Sequence, residues 1–123
     1  MTKELNLNTG KIGEKIAKEF LIKKGYKILE KNVKSKFGEI DLVIQDGKEL
    51  VIVEVRTKIG DWFGSPEESL NKKKLNKLWL NAQGYVNKIK WNGRYRIDAV
   101  CIVLKESDRK TVERLEHYQN IWM

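Results

Sequence analysis

Two apolar runs on either side of an Asp-Gly pair form the strongest pattern in the chain. The segment from Gly38 to Lys58 reads GEIDLVIQDGKELVIVEVRTK, with the pair Asp46-Gly47 between the runs. Such a pair between alternating apolar residues is the strongest local signal for a β-hairpin. Charged residues interrupt the runs, above all Asp41 and Glu54. Because a packed core has no use for them, the pattern predicts a hairpin that carries functional side chains.

The loop of this hairpin decides how Asp41 and Glu54 face each other. A two-residue turn at Asp46-Gly47 makes them diagonal neighbours, roughly 7–8 Å apart at the backbone. A four-residue turn makes them directly opposite. In both registers they share a face with Glu39, Arg56 and Lys58, whereas a three-residue loop without a bulge would separate them. The other face is predicted to be wholly apolar and to need a covering layer: Ile40, Leu42, Ile44, Val51, Val53 and Val55.

Helical spacing of apolar residues predicts one helix before the hairpin and one after it. The first extends from Thr9 to Lys24, with Gly13 in the middle of its apolar face and Glu14 at the margin. Glu14 could overlook a cleft, or it is a solvated acid favoured by the helix dipole. The second extends from Ser65 to about Lys88 and starts with a Ser-Pro capping signal. Gln83 lies on one flank of its apolar stripe.

The remaining elements complete a mixed α/β pattern. Further strands are predicted over Gly25–Val33 and Arg94–Leu104, with a short final strand near the C-terminus. Asp98 interrupts the second of these beside two arginines, where a local ion pair is the simplest explanation. The order α-β-β-β-α-β predicts a three-layer α/β domain, a central mixed sheet flanked by helices. A chain of 123 residues can bury one core, so we expect a single domain over residues 1–123.

Composition narrows the classes of function. The chain carries 25 Lys and Arg against 17 Asp and Glu, a net charge of +8, which favours nucleic acid as a partner over an inert basic surface. One histidine excludes a zinc site built from several histidines. One cysteine fits a reducing compartment. No apolar run approaches the ~20 residues of a membrane span, and the first residues lack a signal segment, so we expect a cytoplasmic protein.

Lysines outside the hairpin are candidate contacts to nucleic acid. Lys34 and Lys36 lie in a basic turn just before the hairpin. Lys72 and Lys73 concentrate positive charge at the start of the second helix, against the helix dipole. This placement makes sense if phosphate lies nearby, although a solvated lysine cluster is also common.

An aromatic loop follows the hairpin. Trp62 and Phe63 stand between two glycines. Trp62 could stack on unpaired bases or wedge into a duplex. Alternatively, the two rings fill the core or form a contact between protein copies.

The residues of the predicted hairpin face have the chemistry of a metal-dependent hydrolase. Asp41 and Glu54 are suited to Mg²⁺ or Mn²⁺, because hard cations prefer carboxylate oxygens. A bound ion activates water and stabilises charge on a phosphate. Arginine stays protonated at working pH, so Lys58 is the better candidate base and Arg56 is an electrostatic clamp. The alternative is a purely structural network of ion pairs.

These motifs resemble those of a known family. Asp41, a hairpin and then Glu54-Val55-Arg56 resemble the PD-(D/E)XK motif of restriction-endonuclease-like nucleases. More closely, the chain resembles the YraN-type family of small bacterial proteins, which are related to archaeal Holliday-junction resolvases. The matching segments span nearly the whole chain: Gly10-x-x-Gly13-Glu14, Gly25-Tyr26, Asn32, Gly38-Glu39-Ile40-Asp41-Leu42, Val53-Glu54-Val55-Arg56 and Arg96-Ile97-Asp98.

The resemblance implies a restriction-endonuclease-like fold and a Mg²⁺-dependent DNA endonuclease acting on branched or damaged DNA. It makes Glu14 the helix acid of the site, Asp41 and Glu54 the metal ligands, and Gln83 the counterpart of a Gln on the following helix. Arg56 stands where the motif has Lys, which leaves that role between Arg56 and Lys58.

A second departure and two further hypotheses stay open. Ile40 replaces the proline of the motif. The chain could be a non-catalytic nucleic-acid-binding module of the same fold, or a self-associating protein that uses the Trp62-Phe63 loop. A symmetric substrate such as a DNA junction would suit a homodimer.

Overall fold

A computed structural model describes residues 3–60, 62 and 64–122 of the chain. Their five strands form one mixed sheet in the order β1-β2-β3-β4-β5, in which only β3 and β4 are parallel. The elements are α1 (Lys3–Lys23), β1 (Lys27–Ser35), β2 (Gly38–Asp46), β3 (Glu49–Ile59), a 3₁₀-helix (Pro66–Ser69), α2 (Lys72–Ile89), β4 (Tyr95–Leu104) and β5 (Val112–Tyr118).

A helix covers each face of the sheet. One apolar cluster lies between α1 and the sheet and includes Ala17, Leu21 and Val53. A second cluster lies between α2 and the sheet and includes Leu78 and Ile52. The predicted three-layer, restriction-endonuclease-like α/β architecture is thereby confirmed. Neither helix of the described residues has the length and apolar character needed to cross a bilayer.

The two faces of the hairpin are not divided as the sequence predicts. Ile40 packs with Val43 beneath α2, whereas Leu42 packs beneath α1. The prediction that Ile40 belongs to the same apolar face as Leu42 was therefore wrong. The irregularity lies at Asp41, where the neighbouring strand β1 carries Asn32 in the left-handed conformation (φ 51°). Strict alternation of side chains does not survive such an interruption.

The turn of the hairpin lies one residue later than predicted. Asp46 pairs with Glu49, which leaves a two-residue turn that begins with Gly47 at φ 61°. A positive φ at this position is easily adopted by glycine, which explains the shift. Extending the observed register brings Asp41 opposite Glu54 rather than diagonal to it.

Arg96 ties the end of the hairpin to the last two strands. Its Nη1 donates to Asp46 at 3.0 Å and to Glu49 at 2.7 Å, which offsets the repulsion between these paired acids. Its Nε donates to buried Asp98 at 2.9 Å, and Asp98 also hydrogen-bonds His117 at 2.9 Å. Burial alone would raise the pKa of Asp98, but the hydrogen bonds with His117 and Arg96 lower it. The predicted local ion pair is confirmed.

Both helices differ from the prediction at their starts. The first begins at Lys3 rather than at Thr9. The second is interrupted, because Ser65 caps only the 3₁₀-helix and Asn71 then caps α2. The prediction of one continuous helix from Ser65 was therefore wrong. A second good N-cap residue allows the chain to restart its helix at Lys72.

Helix α1 approaches the sheet closely at Gly13. A Cβ atom built at Gly13 would overlap the side chain of Thr57 on β3. Ala17 and Leu21, one and two turns later, are fully buried against the same layer. The absent side chain at Gly13 therefore sets how near α1 lies to β3.

We predict that Gly13→Ala destabilises the protein by about 1–3 kcal/mol, because overpacking forces a helix or a strand to shift. Gly10→Ala is the matched control, since a Cβ at Gly10 meets nothing within 4 Å. In the same helix this control should stabilise by about 0.5–1 kcal/mol. Urea denaturation measures both variants, and equal effects would contradict the close approach.

Candidate functional site

The candidate acids lie where β2 separates from β3. The pairing of these strands ends with Leu42 opposite Val53. Asp41 and Glu54 are the next residues beyond this last pair. Beyond this point the Val55 N–H donates to Asp41 Oδ2 at 2.7 Å instead of to a neighbouring backbone carbonyl. The separation of the strands thus opens a gap in the sheet into which the Asp41 side chain fits, next to Glu54.

Three carboxylates form a cluster at this point. Glu14 on α1 and Glu39 and Asp41 on β2 each offer an oxygen atom, and these atoms all lie within 4.8 Å of one another. Asn32 links two of them, because its Nδ2 donates to Glu14 at 2.8 Å and to Glu39 at 2.9 Å. The four residues come from three elements, so the cluster exists only when α1, β1 and β2 are assembled.

The electrostatics of the cluster are unfavourable without a cation. Burial first, and then the charge of Glu54, raise the pKa of Asp41 to about 8, with a smaller contribution from Glu14. The hydrogen bond from the Val55 N–H acts in the opposite direction. At neutral pH, Asp41 therefore holds a proton that a divalent cation would displace.

Glu54 is held differently from the three clustered acids. It is 3% exposed, and its Oε2 lies 3.2 Å from Lys74 Nζ and 3.4 Å from Arg56 Nη1. Arg56 Nε in turn donates to Ser69 Oγ at 2.7 Å. A buried carboxylate needs such partners, because an unpaired charge in the interior is costly.

A cleft of about 350 Å³ lies along the edge of β3 between α1 and the 3₁₀-helix. Glu14, Arg56 and Ser69 line it, together with Lys58, which is exposed. The cleft therefore brings one acid of the cluster and both candidate cations of β3 to a single opening.

The donor set fits a hard divalent cation. Carboxylate oxygens are the ligands that Mg²⁺ and Mn²⁺ prefer, and Glu14, Glu39 and Asp41 supply three of them. The predicted ligand pair was Asp41 with Glu54. Glu54 lies next to Asp41 and also pairs with Lys74 and Arg56, so the predicted pair stays a prediction. The structure adds Glu14 and Glu39 beside Asp41 as further candidate ligands.

Gln83 is engaged by a residue of β4. Its Nε2 donates to the hydroxyl of Tyr95, which pairs with Leu50, four residues before Glu54 on β3. From the first turn of the same helix, Lys74 reaches Glu54. A role of Gln83 in the site stays a prediction.

The predicted contacts to nucleic acid lie on the surface. Lys34, Lys36, Lys72 and Lys73 are exposed. Trp62 is 68% exposed, whereas Phe63 lies outside the described residues.

The site contains residues that sequence reasoning did not select. Lys74 was identifiable, because it lies four residues before buried Leu78 and so points towards the sheet. Asn32 bridges two acids only because its φ is 51°, and nothing local in the sequence indicates that angle. Ser69 accepts a hydrogen bond from Arg56 because it lies in the 3₁₀-helix. The predicted continuous helix from Ser65 did not indicate this contact.

Comparison with known proteins places the chain among bacterial relatives. Residues 13–102 match the Uncharacterised protein family UPF0102, and this range includes all four acids described above. A UPF0102 protein of Thermodesulfovibrio yellowstonii is 42% identical over 114 residues, or 93% of this chain and 95% of the relative. One of Caldanaerobacter subterraneus is 40% identical over 120 residues, covering 96% and 98%. One of Persephonella marina is 46% identical over 95 residues, covering 76% and 82%.

We predict that Asp41→Asn stabilises the metal-free protein, and more so at pH 8 than at pH 5. Folding raises the pKa of the Asp41 carboxyl from 3.8 to about 8. This carboxyl therefore has no effect on the free energy of unfolding below pH 3.8, lowers it progressively as the pH rises to about 8, and lowers it by a constant amount above that pH. The expected gain at pH 8 is about 1–3 kcal/mol. Urea denaturation in EDTA measures it.

Glu19→Gln is the control, because Glu19 is an exposed acid on α1. It should show no such pH dependence. A gain from Asp41→Asn that is equal at the two pH values would contradict the raised pKa of Asp41.

Proposed function

This chain belongs to the UPF0102 family, and we propose that it is a metal-dependent nuclease that hydrolyses phosphodiester bonds in DNA. The cluster of Glu14, Glu39 and Asp41 is the observation that carries the proposal. Three clustered carboxylates, one with a raised pKa, are costly as a purely structural device. A divalent cation would remove that cost and is the usual cofactor for this chemistry.

The residues that would hold the ion, Mg²⁺ or Mn²⁺, are Glu14, Glu39 and Asp41. When bound, the ion supplies a Lewis acid for the phosphate and an activated water. The chain itself orients the ligands, because Asn32 fixes Glu14 and Glu39 and the Val55 N–H fixes one oxygen of Asp41. Such outer partners support metal affinity in proteins generally.

Two cations on β3, Arg56 and Lys58, have separate roles in the proposed reaction. Arg56 is held by Glu54 and Ser69, so its guanidinium is positioned at the cleft and neutralises charge on the scissile phosphate. Lys58 is exposed on the same cleft and is the residue assigned to the attacking water. Glu54 acts as a positioning residue through its pairs with Arg56 and Lys74.

The surface beside the acids supports a polyanionic substrate. Lys11, Lys15 and Lys18 recur at helical spacing on α1, and with Lys31 they surround a depression of about 450 Å³ that Glu14 also lines. A phosphate backbone lying there would reach the acid cluster. The net charge of +8 attracts a polyanion over longer distances.

One observation favours a second candidate, a nucleic-acid-binding module without catalysis. Glu54 is already neutralised by Lys74 and Arg56. In that case the basic surface would bind DNA in a salt-sensitive manner, and no bond would be cleaved.

We predict cleavage of DNA in Mg²⁺ or Mn²⁺, and a loss of at least about 100-fold in Asp41→Asn and Glu14→Gln. Both variants keep the size of the side chain and remove a ligand charge. Lys58→Ala should slow cleavage without weakening binding, because Lys58 is assigned to proton transfer. Gel assays on branched, single-stranded and duplex DNA, with fluorescence anisotropy for binding, measure these effects.

Glu19→Gln should cleave as the wild type does, since Glu19 lies outside the cluster. Cleavage that persists in both ligand variants would refute the site. An absence of cleavage on every substrate, together with intact salt-sensitive binding, would establish the binding module instead.

A further inference from the structure

A second cavity lies between α2 and the turn that joins β1 to β2. Its volume is about 210 Å³, smaller than the roughly 300–1,000 Å³ of pockets for drug-sized ligands. Its walls are largely apolar and include Val33, Phe37, Ile40 and Tyr85. The cavity therefore has room for one small group and excludes a duplex.

One face of α2 forms a wall of this cavity. Asn81, Gly84, Tyr85 and Lys88 recur at helical spacing and all line it. A Cβ atom at Gly84 would meet nothing within 4 Å, so no neighbouring element requires glycine there. Glycine inside a helix costs about 1 kcal/mol relative to alanine. The glycine at this position thus leaves open the space that a side chain would occupy.

The chemistry of the cavity matches a nucleobase. Phe37 is 39% exposed and offers ring surface to a stacked base, and the buried ring of Tyr85 lines the wall beside it. Ser35 and Asn81 hydrogen-bond each other and place polar atoms at the wall for the edge of a base.

The rim of the cavity is basic. Lys34, Lys36 and Lys88 are exposed around it, and no acidic side chain of the described residues lines it. The charge is therefore complementary to the phosphates on either side of a base.

We propose that this cavity binds a single unstacked base of a DNA strand whose phosphates contact Lys34, Lys36 and Lys88. The inference rests on the proposed function for the identity of the partner, but not on cleavage. Unstacking a base costs least where it is already unpaired, so the cavity selects DNA with unpaired nucleotides.

The cavity and the acid cluster lie on different faces of the sheet. Ile40 lines the cavity beneath α2, whereas its two neighbours on β2, Glu39 and Asp41, cluster with Glu14 of α1. The cavity is therefore a site separate from the acids, and it would select a DNA strand by its unpaired base.

A matched pair of DNA duplexes tests this inference in EDTA. One carries a single bulged nucleotide, and the other carries a bulged abasic residue with the same phosphate charge. The wild type should bind the first about tenfold more tightly, because stacking of one base contributes about 1–3 kcal/mol. Fluorescence anisotropy measures both affinities.

Gly84→Leu should abolish this preference by filling the cavity, and Gly84→Ala, which adds a single methyl group, should retain it. Both replacements favour a helix, so loss of folding does not confound the comparison. Equal binding of the two duplexes by the wild type, or a preference that survives in Gly84→Leu, would overturn the inference. Because both arms exclude divalent ions, a failure of the nuclease proposal leaves this result unaffected.

Discussion

Repulsion among carboxylates at the separation of β2 from β3 is the constraint on which the rest of the site depends. Glu14, Glu39 and Asp41 bring oxygen atoms within 4.8 Å of one another, and Glu54 lies next to Asp41. The chain offsets this repulsion only in part: Asn32 donates to two of the acids, and Asp41 retains a proton because burial raises its pKa. We propose that a bound cation offsets the rest of the repulsion.

The fold holds this arrangement in place from several directions. Gly13 lets α1 approach β3, and the next residue on α1 is Glu14. Arg96 secures the far end of the hairpin, so the register that brings Asp41 opposite Glu54 is fixed. The 3₁₀-helix supplies Ser69 to Arg56. Each of these contacts is distant in sequence from the acid that it positions.

The sequence predicted the sheet, both helices and the acids of the hairpin, because hydrophobic periodicity and the Asp-Gly pair are local signals. It did not single out Glu39 as a partner of Glu14 and Asp41, and it did not predict that Gln83 bonds Tyr95. Those contacts depend on the left-handed backbone at Asn32 and on how α2 packs on the sheet, and both are set by tertiary structure. The helix break before Lys72 was missed because Ser65 and Asn71 are both good caps.

Titration calorimetry with Mn²⁺ at pH 8 tests the central claim, a carboxylate cluster built for a divalent ion. We expect one binding site in the wild type, weakened by about tenfold or more in Glu14→Gln and unchanged in Glu19→Gln. Release of protons on binding should increase as the pH is lowered below 8, because Asp41 then carries a proton that the ion displaces. An absence of binding in the wild type, or equal affinity in Glu14→Gln, would contradict it.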